Sequence, residues 1–206
     1  MKRRYITIFI LLAGFLMATC LTTLTPQTAR AEAKSKAEHY VIDTKKAHAF
    51  INFRISHLGY SWLHGRFNKF EGEFDFDKAN PSNSKITVRI DPASVDTNHA
   101  ERNKHIRGKD FFNVKKFPKS GFVSSSITRV GKNAYVVKGK FTLHGVTKDI
   151  IIRGEDVGAG KDPWGGYRRG FRGHTTLKLH DYGITYDLGP ASTIVHLEFS
   201  IEGIRQ

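Results

Sequence analysis

A chain of 206 residues, 39% of them hydrophobic, is long enough to bury one sizeable core, and its 33 basic against 19 acidic residues give a net charge of +14. Its only cysteine is Cys20, which excludes an internal disulfide and any cluster of thiolate metal ligands. A surface this basic suits an anionic partner, nucleic acid or membrane, or serves solubility through charge alone.

The N-terminus reads as an export signal. Lys2, Arg3 and Arg4 precede an apolar run from Tyr5 to Ala18, and Ala29-Arg30-Ala31 offers small residues at the two positions a signal peptidase reads. The run is short of the about 20 residues that a bilayer-spanning helix needs, which weighs against a retained anchor. Met17-Ala18-Thr19 before Cys20 is a poor lipoprotein site. Cleavage is expected after Ala31, with Ala33 the alternative. Taking 31 from 206 residues leaves a single domain of 175, residues 32–206, with no cysteine and therefore no thiol nucleophile. Lys2, Arg3, Arg4 and Arg30 leave with the signal, so +14 less four becomes +10. Export places the domain outside the cytoplasm and weakens the case for nucleic acid.

From residue 48 onward the pattern is alternation with period two, the mark of strands with one buried face. Ala49, Ile51, Phe53 and Ile55 share parity in 48–57. In 66–77, Phe70, Gly72, Phe74 and Phe76 oppose Glu71, Glu73, Asp75 and Asp77, while Phe67 has the other parity, so a bulge is expected near Asn68-Lys69. Ile86, Val88 and Ile90 make a third strand. Residues 120–130 and 134–143 form a hairpin about Gly131-Lys132-Asn133, with Tyr135, Val137, Gly139, Phe141 and Leu143 on one face. Strands over 146–156, 168–180 and 192–203 follow, and Tyr40–Asp43 reads as a short leading strand.

Residues 96–113 break the alternation. Asn98 and Glu101 can form a capping box for a helix over about 98–106, with a further turn near 108–113 before Pro118. Eight antiparallel strands with one short helical insertion close most simply into a barrel, which leaves no exposed edges and is wide enough for one small ligand or for its own side chains. The 15 phenylalanines suit either outcome. Glycines interspersed on the same faces, at 72, 139 and 173, favour room inside.

Long, ordered motifs then carry a resemblance. The run from His57 to Leu63 with Gly65 and Phe67 is the first. The second runs from Ser94 to Arg102 and on through His105, Arg107, Asp110, Phe111, Phe112, Lys116, Phe117 and Pro118. Gly145 to Lys148, Asp162 to Gly166, and Asp187 to Ser192 complete the set. Together they resemble the YceI family of periplasmic, lipocalin-like proteins over roughly 38–206. The resemblance implies an extended eight-stranded antiparallel barrel that binds a polyisoprenoid or isoprenoid-quinone-type lipid, no enzymatic activity, no cofactor other than such a lipid, and a periplasmic location. The charge of +10 is more basic than the family leads one to expect.

An isoprenoid tail offers little to hydrogen-bond, so its site needs apolar length more than placed polar groups. The expected lining is Phe53, Phe74, Phe141, Phe171, Leu177, Val195 and Phe199 on strands, with Tyr60, Trp62 and Phe112 at the mouth, where an apolar ring with a polar handle fits best. Asn98, Arg102 and Arg107 are candidates for a polar head group; Asp96, Asn98 and Arg102 pinning the helix to the barrel is the competing role. No metal is expected: His99 and His105 are spaced off one helical face, and His174 and His180 lack a third ligand nearby. There is no nucleophile elbow, phosphate-cradling loop or paired-carboxylate signature. Residues 102–119 carry seven Lys and Arg against Asp110 alone, a face for peripheral contact with an anionic membrane or merely for water. Partners are therefore an isoprenoid lipid and such a membrane, without nucleic acid, and a homodimer is left open. Two alternatives stand beside lipid carriage: an enzyme acting on the lipid through His99 or His105, and a stress-responsive interaction protein whose barrel is filled by its own side chains.

Overall fold

The computed structural model describes residues 37–46 and 48–206; the export signal expected over 1–31, with the cleavage sites at Ala31 and Ala33, lies outside the described residues. The strands in chain order are β1 (Glu38–Ile42), β2 (Phe50–His57), β3 (Ser61–Phe67), β4 (Phe70–Phe76), β5 (Lys85–Ile90) and β6 (Val95–Asp96). After the helix α1 (Ala100–Arg107) come β7 (Ser120–Arg129), β8 (Ala134–Leu143), β9 (Val146–Lys161), β10 (Tyr167–Lys178) and β11 (Ile194–Arg205).

Every pairing is antiparallel, and β11 closes the sheet on itself. One edge of β11 follows β10 from Ile194 to Ile204, while the other meets β2 over Val195–Ser200 and β1 over Gly203–Arg205. β1 and β2 thus fill successive lengths of one barrel position. β3 and β4 do the same beside them, and β5 and β6 beyond, since β4 pairs with both β1 and β5 while β3 pairs with β2 and β6. Eleven segments make eight positions, the antiparallel barrel with one short helix that the alternation leads one to expect.

The broken positions correct the expected strand boundaries. Pro92 opens a single 3-10 turn, Pro92–Ser94, where its missing N–H cannot extend a ladder. Beside that turn, Asn68 and Lys69 donate their backbone N–H groups to the backbone carbonyl and hydroxyl oxygens of Ser94 at 3.1 and 2.9 Å. The switch of parity between Phe67 and Phe70 is therefore a break between two strands, not a bulge. The first turn is confined to Leu58–Tyr60, so strand resumes at Ser61, five residues earlier than the alternation suggests. β9 runs on to Lys161 rather than 156, because Val157–Lys161, though exposed and without apolar alternation, pairs with the start of β10. Register shifts do occur, at Ser124/Ser126 and Gly170/Phe171.

The helix begins at Ala100, and its cap is His99, whose Nδ1 accepts the backbone N–H of Arg102 at 3.3 Å. Asn98 has φ 61° and gives its own N–H to Asp96 Oδ1 instead, so the expected capping box does not form. Inside the barrel, Tyr40 stacks on Phe74 at 4.8 Å, and Phe171 meets Phe74 and Phe76 edge-on at 5.4 and 5.1 Å. The end nearest the β9–β10 turn is closed by charge. Buried Arg169 binds Asp156 at 2.7 Å and lies 4.6 Å from the Phe76 ring, and Arg168 binds Asp43 and Asp162, each at 2.7 Å, together with Glu202.

Candidate functional site: two apolar cavities in the barrel

The β2–β11 ladder sets Ile51 opposite Phe199, Phe53 opposite Leu197, and Ile55 opposite Val195. These three rungs run from the middle of the barrel to its open end and carry two cavities. The deep one, about 120 Å³, lies among Ile51, Phe74, Phe76, Phe122, Phe141, Phe171 and Phe199, with Leu197 at its upper limit. Its lining is apolar but for Asp75, Tyr135 and Arg172. Gly154 and Gly173 face each other on its wall. A Cβ built on Gly154 would approach nothing closer than the Arg172 carbonyl oxygen at 3.7 Å, so this glycine keeps space open rather than relieving a clash.

The upper cavity is larger, about 530 Å³, and mixed in character. Phe53, Ile55, Leu63 and Val195 line it from the strands; Ile106, Phe111 and Phe112 come from α1 and the turn after it; and Leu179, Tyr186 and Leu188 come from the connection before β11. Ser56, His57, Arg102, His105, Asp187 and Ser192 add polar groups. Phe53 and Leu197, directly opposed, mark the boundary, one lining each cavity. The Phe53 ring lies where a side chain on Gly65 would stand, 2.3 Å from an ideal Cβ, and tilts against Phe67 at 5.7 Å, which stacks on Phe112 at 5.9 Å. The interior is not filled by its own side chains.

The polar groups are held in place. Arg102 donates Nε–H to Thr97 Oγ1 at 2.8 Å and Nη2–H to the Thr97 carbonyl at 2.6 Å, leaving Nη1 without a partner among the described residues. It pins the helix and borders the cavity at once. His105 binds Asp110 through Nε2 at 3.0 Å, and its ring meets Phe111 and Tyr186 edge-on at 5.1 and 5.2 Å. Asp96 accepts hydrogen bonds from the backbone of Asn98 and from Asn103 and Asn68, which hold its carboxyl below the usual range. Tyr182 is 2% exposed, with its ring edge-on to Phe141 at 5.8 Å and its hydroxyl unpartnered among the described residues. Burial, with a smaller push from Asp181, lifts that hydroxyl to about 12.

Of the residues expected at the site, Phe74, Phe141, Phe171 and Phe199 line the deep cavity, and Phe53, Phe112, Val195 and Arg102 line the upper one. Leu177 is buried but lines neither. Tyr60 and Trp62 stand on the outside, 85% and 48% exposed. On β3 the inward residues are Leu63, Gly65 and Phe67, which turns Trp62 out to meet Arg54 at 4.8 Å and His196 at 5.4 Å. Asn98 and Arg107 border neither cavity. Ile51, Tyr135 and Val137 were open to parity, being in step with Phe53 and Phe141; Leu179, Tyr186 and Leu188 sit in a connection with no periodicity to reveal them. At the closed end, ligand atoms of Asp43, His48 and Glu202 lie within 4.8 Å of one another, but the Arg168 guanidinium already supplies the positive charge between them. Burial would raise the Asp43 carboxyl; the hydrogen bonds from Arg168, His48 and the Lys46 backbone outweigh it and bring it to about 2.

Comparison with known proteins places the chain. A YceI-like domain matches residues 40–203. The UPF0312 protein of Ectopseudomonas mendocina (strain ymp) is 53% identical over 191 residues, covering 93% of this chain and 100% of that protein. That of Pseudomonas aeruginosa (strain LESB58) is 56% identical over 173 residues, 84% and 90% of the two chains. Among solved structures, BcnA of Burkholderia cenocepacia superposes with a TM-score of 0.69 at 26% identity, over 78% of this chain and 98% of its own. The Campylobacter jejuni YceI protein gives 0.67 at 28%, over 74% and 90%. A polyisoprenoid binding domain from Saccharophagus degradans, implicated in plant cell wall breakdown, gives 0.60 at 19%, over 81% and 98%, a likeness of fold alone. With the domain match running almost the length of the barrel, and relatives more than half identical across it, the chain belongs to the YceI-like family.

Proposed function

We propose that this protein works in the periplasm as a carrier, store or sink for a polyisoprenoid or isoprenoid-quinone-type lipid, and that it performs no chemistry on it. One observation carries the reading: a cavity lined almost wholly by apolar side chains lies beneath a larger cavity lined by both apolar and polar groups. A long greasy tail with one oxygenated end matches that order. Burying five carbons is worth up to about 4 kcal/mol at roughly 0.8 kcal/mol per methylene-sized group. A few isoprene units therefore outweigh association costs on the order of 4–15 kcal/mol. Two of the polar groups lining the upper cavity also hold structure, Arg102 on Thr97 and His105 on Asp110, which suits binding better than turnover. The name of the Saccharophagus degradans domain makes isoprenoids the natural first probe.

Mass spectrometry of an organic extract of the protein, purified from the periplasmic fraction of cells expressing the full chain, tests both halves. An isoprenoid lipid recovered in near-stoichiometric amount is expected. Repeated recovery of none, together with no uptake of added quinone, would overturn the lipid reading; retention of the chain in the cytoplasm would overturn the location.

A further inference from the structure

The turn Leu58–Tyr60 joins β2 to β3 at the end of the barrel that carries the upper cavity. Leu58 and Gly59 both have positive φ, 54° and 81°, so the chain reverses sharply and its apex projects. That apex is apolar, and it is bare: Leu58 is 52% exposed, Tyr60 85%, and Trp62 just beyond it 48%. Leu58 also lines the upper cavity, as does the exposed Tyr186 across the mouth. The projecting tip and the entrance are one surface. Ile194, at the first residue of β11, adds a further exposed apolar side chain beside it.

Basic groups stand around this tip, with Arg54 and Lys104 also 4.0 and 3.8 Å from Glu198 and Glu101. Arg54 lies over the Trp62 ring, Lys178 stands opposite Ile194 in the ladder, and α1, which walls the same cavity, begins the basic run of Arg102, Lys104, Arg107 and Lys109. Tyrosine and tryptophan favour the level of lipid head groups, with an apolar ring below and a polar atom above, and clustered lysine and arginine are drawn to anionic leaflets. We propose that this end of the barrel docks on an anionic phospholipid bilayer. Tyr60 and Trp62 enter the interface, the basic groups of α1 meet phosphates, and the mouth of the cavity faces the membrane from which its lipid comes. The inference rests on the lipid-carrier reading and gives it a route of entry.

The molecule carries its own control. Trp164, 67% exposed, lies in the β9–β10 turn at the far end, its ring 5.3 Å from the Arg168 guanidinium and 4.9 Å from Lys46 Nζ; the 12 residues of β11 separate the two ends by about 40 Å at roughly 3.3 Å per residue. Trp164→Phe therefore leaves Trp62 as the reporter, and Trp62→Phe leaves Trp164. With vesicles of phosphatidylcholine and phosphatidylglycerol carrying brominated acyl chains, Trp62 fluorescence is expected to be quenched and blue-shifted, and Trp164 fluorescence unchanged. In co-sedimentation, Tyr60→Ser is expected to weaken vesicle binding about tenfold, and Lys104→Glu with Lys109→Glu to remove the preference for phosphatidylglycerol over phosphatidylcholine alone. Quenching of neither tryptophan, or of both equally, overturns the proposal. So does a Tyr60→Ser protein that sediments with vesicles as before, or one whose only change is loss of concentration-dependent self-association, which would assign the tip to a second copy of this chain. Isoprenoid recovered from a protein that never binds vesicles would sink the docking and spare the carrier reading; vesicle binding without isoprenoid would do the reverse.

Discussion

Gly154 sets the volume of the deep cavity by what it lacks. It faces inward between Tyr135 and Gly173, and an added Cβ meets no backbone closer than 3.7 Å, so Gly154→Leu sends its side chain into the cavity. The variant is expected to fold with little change in thermal stability while its extract contains markedly less isoprenoid; an unchanged load would mean that the tail never reaches this depth. Tyr182 offers the opposite experiment. A buried hydroxyl with no partner costs about 1–3 kcal/mol, so Tyr182→Phe is expected to stabilise the fold by about 1 kcal/mol in denaturant titration. Parity alone puts Phe74, Phe141, Phe171 and Phe199 on inward faces, and the structure sets all four against the deep cavity. It says nothing of Tyr60 and Trp62, which a three-residue turn sets on the outer surface beside the mouth, nor of Asn98, whose left-handed backbone leaves the capping position to His99.

Between elements, the cluster around Arg168 ties the connection before β2 to the β9–β10 turn and to β11. Asp43 is its buried centre, accepting from Arg168, His48 and the Lys46 backbone. Its carboxyl sits at about 2 against an ordinary 3.8. A folded-state value below the unfolded one contributes stability that is fully present above pH about 4 and is lost as pH falls through about 2. The difference corresponds to on the order of 2 kcal/mol. Asp43→Asn is therefore expected to lower the melting temperature at pH 7 by several degrees, with the gap between variant and parent closing as pH is taken from 4 to 2. A gap constant across that range would show that the carboxylate charge is not what holds the loop. None of this cluster is visible in the sequence, because its members come from three separate stretches of chain, 43–48, 162–168 and Glu202. The breaks at Asn68-Lys69 and Pro92 are partly legible: proline and the parity switch mark where the ladders stop, but not that they stop side by side.

At the level of the molecule, barrel closure is what sets the two cavities one after the other along β2 and β11. Strand count and alternation sufficed to expect closure, whereas no pattern encodes the division between the cavities, where the cross-strand neighbours Phe53 and Leu197 line one cavity each. From Val195 in the upper cavity to Ile201 in the deep one, β11 advances about 20 Å at roughly 3.3 Å per residue. A lipid tail that follows the strand should gain affinity with each isoprene unit until it reaches the floor under Phe74 and Phe76, and then gain nothing. Because a ligand that binds only the folded state raises stability with its concentration relative to Kd, melting temperatures measured with quinones of increasing tail length trace this curve directly. The expected result is a steady rise followed by a plateau, with the plateau reached at shorter tails in Gly154→Leu. A plateau at the shortest tails in the parent protein would mean that Phe53 and Leu197 close the path; Phe53→Ala would then restore the dependence on length, and the deep cavity would be a packing defect rather than a place for the tail.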